Sequence, residues 1–232
     1  MRCRYTTSSR PWSRTDDVSA AERSAEAARL AAGASALGAP LDPAQASTLL
    51  RLLDELERWN RSFNLTAIRD RGGMLTHHLL DSLSIRPFLA GGTVADVGTG
   101  AGFPGLPLAI VEPARRFTLI DSNNKKIRFI AHAARTLGLG NVEPLHARVE
   151  DLAPAQPFDT VVARAFAPLP RMLDSIGPIC GPLTRVLAMK SAQLDEELRE
   201  VAAPWRVAAV HDLTVPGIDA VRALAILYRD GV

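Results

Sequence analysis

The spacing of hydrophobic positions along this chain changes near Thr93. Upstream, Ala46, Leu49, Leu50, Leu53, Leu56 and Asn60 recur at helical intervals and predict an amphipathic helix that ends at about Arg61. Asp42 stands as its cap, Pro43 at the first helical position, and Gln45 where a capping-box partner belongs. "FNLTAIRD" breaks the pattern, and a second helix is expected over Met74 to Leu89. Residues 1–38 are rich in Ala, Ser and Arg and carry few large apolar groups, too few to offset their ordering entropy. They are expected to form a disordered leader. Within it, Ala20 to Ala36 has a helical composition but little to pack against.

Downstream of Thr93, short β-rich runs alternate with helical ones. The runs are TVADV, FTLID, VEPLHA, DTVVARA, RVLAMK, RVAAVHDL and RALAILY. Between them lie "PGLPLAIVEP", "NNKKIRFIAHAARTLG", "PLPRMLDSIGPIC" and "AQLDEELREVA". Strands buried between two helical layers read as continuous apolar runs, so an α/β fold with a doubly wound, mostly parallel sheet is expected. The last two strands have no long helix between them, which predicts a hairpin closing one edge. The expected division is a helical cap over residues 39–91 and a sheet domain over 92–232.

Composition narrows this picture modestly. A chain of 232 residues with 47 % hydrophobic residues suits one compact domain plus an appendage. The formal net charge of +2 is near balance, so any nucleic-acid surface must come from local clustering. Cys3 and Cys180 are the two cysteines, which argues against a disulfide framework and for a reducing cytoplasm. No apolar run approaches the ~20 residues that span a bilayer. The start has no secretory apolar core, and Asp16 with Asp17 suits a transit peptide poorly.

Chemistry enters with "VADVGTGAGFPG", residues 94–105. In a doubly wound sheet, ligands bind beyond the carboxyl ends of strands where the strand order reverses. Here the first strand ends at Asp96 and Val97, and Gly98, Gly100 and Gly102 follow at once. A dinucleotide fingerprint would read G-x-G-x-x-G. The spacing found is D-x-G-x-G-x-G, with an acid that suits a cationic amine and would sit badly beside a pyrophosphate. S-adenosylmethionine is the cofactor this arrangement favours. Asp121, at the end of the second strand, can accept both ribose hydroxyls, and Val149 with Glu150 follows the third strand near a candidate adenine pocket.

For the acceptor, "VVARAFAPLP" carries Arg164-Ala165-Phe166-Ala167 where amine methylases commonly have [DNS]-P-P-[YFW]. No Pro-Cys pair stands there to attack a pyrimidine. Arg164 can fork onto a carboxylate or phosphate or donate to a purine oxygen; the structural alternative is an ion pair with Asp159 or Asp174. On "NNKKIRFIAHAARTLG", Ile127, Ile130, Ala131, Ala134 and Leu137 form the expected buried face, and Lys125, Arg128, His132 and Arg135 share another, with Arg115 and Arg116 upstream. This cluster is a candidate phosphate footprint. Lys126, Lys190 and Arg222 are counted with Lys125, Arg128 and Arg135 as candidate nucleic-acid contacts.

Asn64-Leu65-Thr66, His78, Asp81-Ser82, the Asp96–Gly105 loop, Asp121-Ser122, Lys126 with Arg128, Arg164-Ala165, Lys190 and Arg222 together resemble the bacterial 16S ribosomal RNA guanine-N7 methyltransferases, also called glucose-inhibited division protein B. The resemblance runs from about residue 41 to the C-terminus, and "DVGTGAGFPG" with "ARAFA" is its most specific part. It implies a class I (Rossmann-like) methyltransferase fold, S-adenosylmethionine as methyl donor, no metal, and guanine 527 of 16S ribosomal RNA, free or in the small subunit, as acceptor. It assigns donor binding to Gly98, Phe103, Val149, Glu150 and Arg164. Ser191 departs from the family, which usually has glycine after the lysine. Guanine N7 has a lone pair and no proton, so alkylating it needs alignment and no general base. Arg164 is therefore expected to act by positioning, on the donor's carboxylate or on the target base, with His77 and His78 as alternative bases and His78 better suited to fixing the cap against the sheet. A cytoplasmic monomer without membrane contact is expected. The competing readings are a methyltransferase of another substrate, a nicotinamide-dependent oxidoreductase disfavoured by the glycine spacing, and a noncatalytic RNA-binding assembly factor.

Overall fold

The structure, a computed structural model, describes residues 20–191 and 194–230. Seven strands form one sheet: β1 (Thr93–Val97), β2 (Arg116–Asp121), β3 (Val142–His146), β4 (Thr160–Arg164), β5 (Arg185–Lys190), β6 (Trp205–Asp212) and β7 (Ala223–Arg229). Their order is β3-β2-β1-β4-β5-β7-β6, with β1 to β5 parallel and β7 antiparallel to both β5 and β6. The expected hairpin is present, with β7 inserted beside β5 and β6 on the edge. Pro144 falls in β3, the opposite edge strand, where a missing N–H breaks no ladder.

Alternate residues of each strand enter different layers, as the period of two requires. Val94, Phe117, Leu119, Val162 and Leu187 join one core cluster; Ala95, Val97, Ile120, Val161 and Ala188 join the other. The first layer holds α1 (Ala20–Ala36), α2 (Pro43–Phe63), α5 (Gly105–Val111) and α6 (Asn124–Leu137). The second holds α7 (Leu169–Ile176) and α8 (Leu194–Arg199). The capping box of α2 is formed as expected: Asp42 accepts from the Gln45 N–H, and the Gln45 side chain accepts from the Asp42 N–H.

Two expectations need correction. Residues 1–19 lie outside the described residues, but residues 20–38 are not a disordered leader. Helix α1 buries Leu30 and Ala34 completely, and a Cβ at Gly33 would stand 2.7 Å from Leu80. Arg71 ties it further through both oxygens of Glu26. Its face is built of small residues, which let the helix approach closely instead of supplying large apolar groups. The second helix also differs from expectation. α3 (Arg71–Met74) runs through a π-helical stretch (Leu75–Leu80) into α4 (Asp81–Leu83) and stops before Pro87, whose ring excludes further helix; a single 3₁₀ turn covers Arg86–Phe88.

Candidate active site

The sheet order reverses between β1 and β4, and Val97 pairs with Ile120 on one side and Ala163 on the other. One step further along each strand, Gly98, Asp121 and Arg164 are therefore neighbours. Gly98 and Gly100 have φ of +65° and +62°, which bends the chain away from the strand. The N–H groups of Gly98 and Thr99 both donate to the Ile120 carbonyl, at 2.9 and 3.1 Å. Asp121 accepts from the Gly100 N–H at 2.9 Å through one oxygen and from the Asn123 N–H at 2.8 Å through the other. The turn is thus fixed by the neighbouring strand.

Asp96 lies inside this turn. One oxygen accepts from the Thr99 hydroxyl at 2.6 Å and the Gly105 N–H at 2.8 Å; the other has no partner among the described residues. Burial pushes its carboxyl up to about 6. The sequence pointed to Asp96 as an acid facing a cationic amine, but it is buried and lines neither cavity described below. Its visible work is bracing the loop.

A cavity of about 480 Å³ opens beside the turn, lined by Gly98, Asp121, Val149, Glu150 and Phe166 among others. Glu150 is exposed, and hydrogen bonds from its own N–H and the Ser175 hydroxyl hold its carboxyl below the usual range. Lys126 lines this cavity, 3.6 Å from Asp121, and so differs from the other RNA-contacting candidates on α6. Gly102 serves packing, since a Cβ there would meet Leu106 at 2.4 Å. Phe103 is buried behind the wall, stacked on His78 at 4.6 Å with the Arg164 guanidinium 5.9 Å from its ring centre.

A second cavity, of about 580 Å³, shares the wall residues Ala165, Ala167 and Pro168 with the first. Arg164 lines this one and not the first. It donates to the His77 carbonyl and to Asp81, both at 2.9 Å. The alternative partners Asp159 and Asp174 are not the ones used; Asp159 accepts from Gly92 and Thr93 at the far end of the sheet. The other oxygen of Asp81 accepts from Arg222 at 3.2 Å, so one buried carboxylate aims two guanidiniums. Lys190 donates to the Ala167 carbonyl at 2.6 Å and pairs with Glu197 at 2.7 Å, and Glu197 also accepts from the Leu169 N–H at the start of α7. Lys190 and Arg222 are therefore cavity residues rather than outer-surface ones. His78 shares a hydrogen bond with the Thr66 hydroxyl at 3.0 Å. Burial, with the positive charge of Arg164, pushes it down to about 4, so the imidazole is neutral at pH 7.

On α6, Lys125, Arg128 and Arg135 are exposed together as expected. His132 is withdrawn from that face, bonded to Glu55 at 2.7 Å and packed on Trp59. Arg115 is engaged by Glu112 and the Gly91 carbonyl. The buried face contains Phe129 and Ala133, whereas Ala131 is exposed. Sequence reasoning missed Asp81 as the anchor of Arg164, Glu197 as the anchor of Lys190, and Arg148 and Arg171 on the rim of the first cavity. Arg148 was signalled by its place directly before Val149; nothing local marks the others.

A family model described as rRNA small subunit methyltransferase G (GidB) matches residues 45–225. The chain is 47 % identical over 201 residues to the ribosomal RNA small subunit methyltransferase G of Pseudomonas aeruginosa, covering 86 % of this chain and 94 % of that one. The protein of the same name from Marinobacter nauticus is 45 % identical over 197 residues, covering 85 % and 92 %. Among solved structures, a SAM-dependent methyltransferase from Aquifex aeolicus superposes with a TM-score of 0.55 at 18 % identity, covering 71 % of this chain and 97 % of that one. TrmN from Thermus thermophilus gives 0.53 at 19 % identity, covering 73 % and 53 %. These two likenesses are of fold, and the fold is the class I methyltransferase fold.

Proposed function

The chain belongs to the rRNA small subunit methyltransferase G family, and on that premise we propose that it transfers the methyl group of S-adenosylmethionine to N7 of a guanine in 16S ribosomal RNA, guanine 527 by the resemblance. The observation that carries this reading is the shared wall: a glycine-turn cavity and an arginine-lined cavity meet along Ala165, Ala167 and Pro168.

The first cavity suits the donor. Its volume falls within the range of small-molecule sites, ~300–1,000 Å³. Each oxygen of Asp121 accepts one backbone N–H, which leaves a further lone pair on each for a pair of vicinal hydroxyls. Gly98 puts no side chain of its own into the cavity, and Val149 offers an apolar edge beside the Glu150 carboxylate. When bound, S-adenosylmethionine supplies an electrophilic methyl group on a sulfonium.

The second cavity suits a purine. Arg164 is held by His77 and Asp81 on one edge and keeps further N–H donors for an acceptor such as guanine O6. Arg222 and Lys190 place more positive charge where a phosphate backbone would enter. N7 has no proton to remove, so the weak basicity of the buried His78 is no handicap. The residues of this chain act by alignment, which can contribute ~7–11 kcal/mol in favourable cases. No helix among the described residues is long and apolar enough to cross a membrane, and a cytoplasmic encounter with ribosomal RNA fits that.

The test is incubation of the protein with labelled donor and small subunits from cells lacking this modification, followed by mapping of the labelled nucleotide. Label at N7 of one guanine in 16S RNA is the expected result. Label on an exocyclic amine, on a protein, or on nothing overturns the reading.

A further inference from the structure

Ala165 follows β4 with a φ of +50°, a left-handed conformation that side-chain-bearing residues rarely adopt. This turn sends Phe166 back across the top of β1. A Cβ built on Gly98 would lie 2.3 Å from Phe166 Cδ2 and 3.1 Å from Cγ and Cε2, so the ring rests against the Gly98 backbone. That is the backbone a nucleoside donor must approach.

The same ring is half-buried in the first cavity, while its chain neighbours Ala165, Ala167 and Pro168 face both cavities. The segment is pinned downstream by Lys190 on the Ala167 carbonyl and Glu197 on the Leu169 N–H. Phe166 lies between the turn and these pins, and a change of χ1 rotamer is the motion that would take the ring off Gly98. The second cavity offers guanidiniums, an ammonium and carboxylates, but its described lining has no aromatic ring besides the imidazoles of His77 and His78. A base presented in line with a methyl group needs a flat surface to stop it tilting.

We propose that Phe166 is an acceptor-positioning residue: the donor displaces its ring from Gly98, and the displaced ring stacks on the target guanine in the adjoining cavity. Donor occupancy thereby strengthens acceptor binding, and by linkage the acceptor strengthens donor binding equally. The inference rests on the assignment of the two cavities to donor and acceptor made above.

The experiment compares wild-type protein with Phe166→Ala and Phe166→Tyr. Calorimetry with S-adenosylhomocysteine, the unreactive product, reads the donor side. Phe166→Ala should bind it as tightly as wild type or tighter, because no ring has to move. Binding of unmodified small subunits, with and without S-adenosylhomocysteine, reads the coupling. Wild type should tighten with the nucleoside by about 5- to 150-fold, the range that aromatic–base stacking spans. Phe166→Ala should show no tightening and a turnover lowered by a similar factor, while Phe166→Tyr should restore both. A tenfold loss of nucleoside affinity in Phe166→Ala, or coupling equal to wild type, overturns the proposal. Failure of wild type to methylate small subunits would instead overturn the functional reading, and the nucleoside affinity of Phe166→Ala would still report whether the ring must move.

Discussion

Asp81 accepts from Arg164 and Arg222 at once, with 5 % of its side chain exposed, so both guanidiniums of the second cavity stand on a single carboxylate. Arg164→Lys keeps a cation opposite Asp81 but loses the further guanidinium N–H donors, which neither His77 nor Asp81 occupies. Turnover on small subunits should fall about 10²-fold, the scale of losing one positioned donor, with S-adenosylhomocysteine affinity unchanged by calorimetry. A loss of nucleoside affinity in place of turnover would move Arg164 to the donor. The sequence made Arg164 conspicuous, because it replaces a known acceptor motif at a strand end. It could not identify the partner, since an ion pair across 83 residues leaves no spacing to read. Asp121 and Gly98 were legible for the opposite reason: each follows its own strand directly, and parallel pairing brings strand ends together. The burial of Asp96 was not legible, because a strand end can turn a side chain inward, and the one that turns inward carries no different signature.

Helix α1 shows where reading by element fails. Its buried positions Leu30, Gly33 and Ala34 follow helical spacing, but small residues hide the face that a count of large apolar groups would reveal. Leu30→Ala should lower unfolding free energy by about 2–5 kcal/mol, as in other fully buried leucine truncations, and leave nucleoside affinity unchanged. Chemical denaturation and calorimetry on the same sample check both halves; a change under about 0.5 kcal/mol would return α1 to the status of an appendage. The strands of the sheet were legible because burial on both faces makes each an unbroken apolar run. The exposed cations of α6 belong to the same scale. Reversing Lys125 and Arg128 to Glu should weaken RNA binding, leave donor binding intact, and flatten the dependence of log K on log salt by roughly 1.4–1.8 for two lost phosphate contacts. An unchanged salt slope with equal activity would remove that face from the RNA surface.

For the whole molecule, the site imposes two opposed pH dependences on stability. Asp96, pushed by burial from an ordinary 3.8 up to about 6, keeps its proton in the folded protein where the unfolded chain has lost it. Its contribution is therefore fully present at acid pH and falls away as pH rises from about 4 to 6, by on the order of 3 kcal/mol. His78, pushed from 6.5 down to about 4, is neutral in the folded protein where the unfolded chain takes up a proton. Its contribution is present above about pH 6.5 and falls as pH drops toward 4, by a similar amount. The two windows overlap, so in the native sequence these slopes largely offset. Asp96→Asn should expose the His78 slope, with unfolding free energy dropping steeply on acidification below pH ~6.5. His78→Gln, which can keep a bond to Thr66, should expose the Asp96 slope, with stability rising on acidification through the same window. Urea denaturation across pH ~4–7 reads both, and the sign of each slope, rather than the absolute stability of either variant, carries the result. Parallel slopes in the two variants would mean that neither group titrates as its burial dictates, and the loop that Asp96 braces would then have to be open to water.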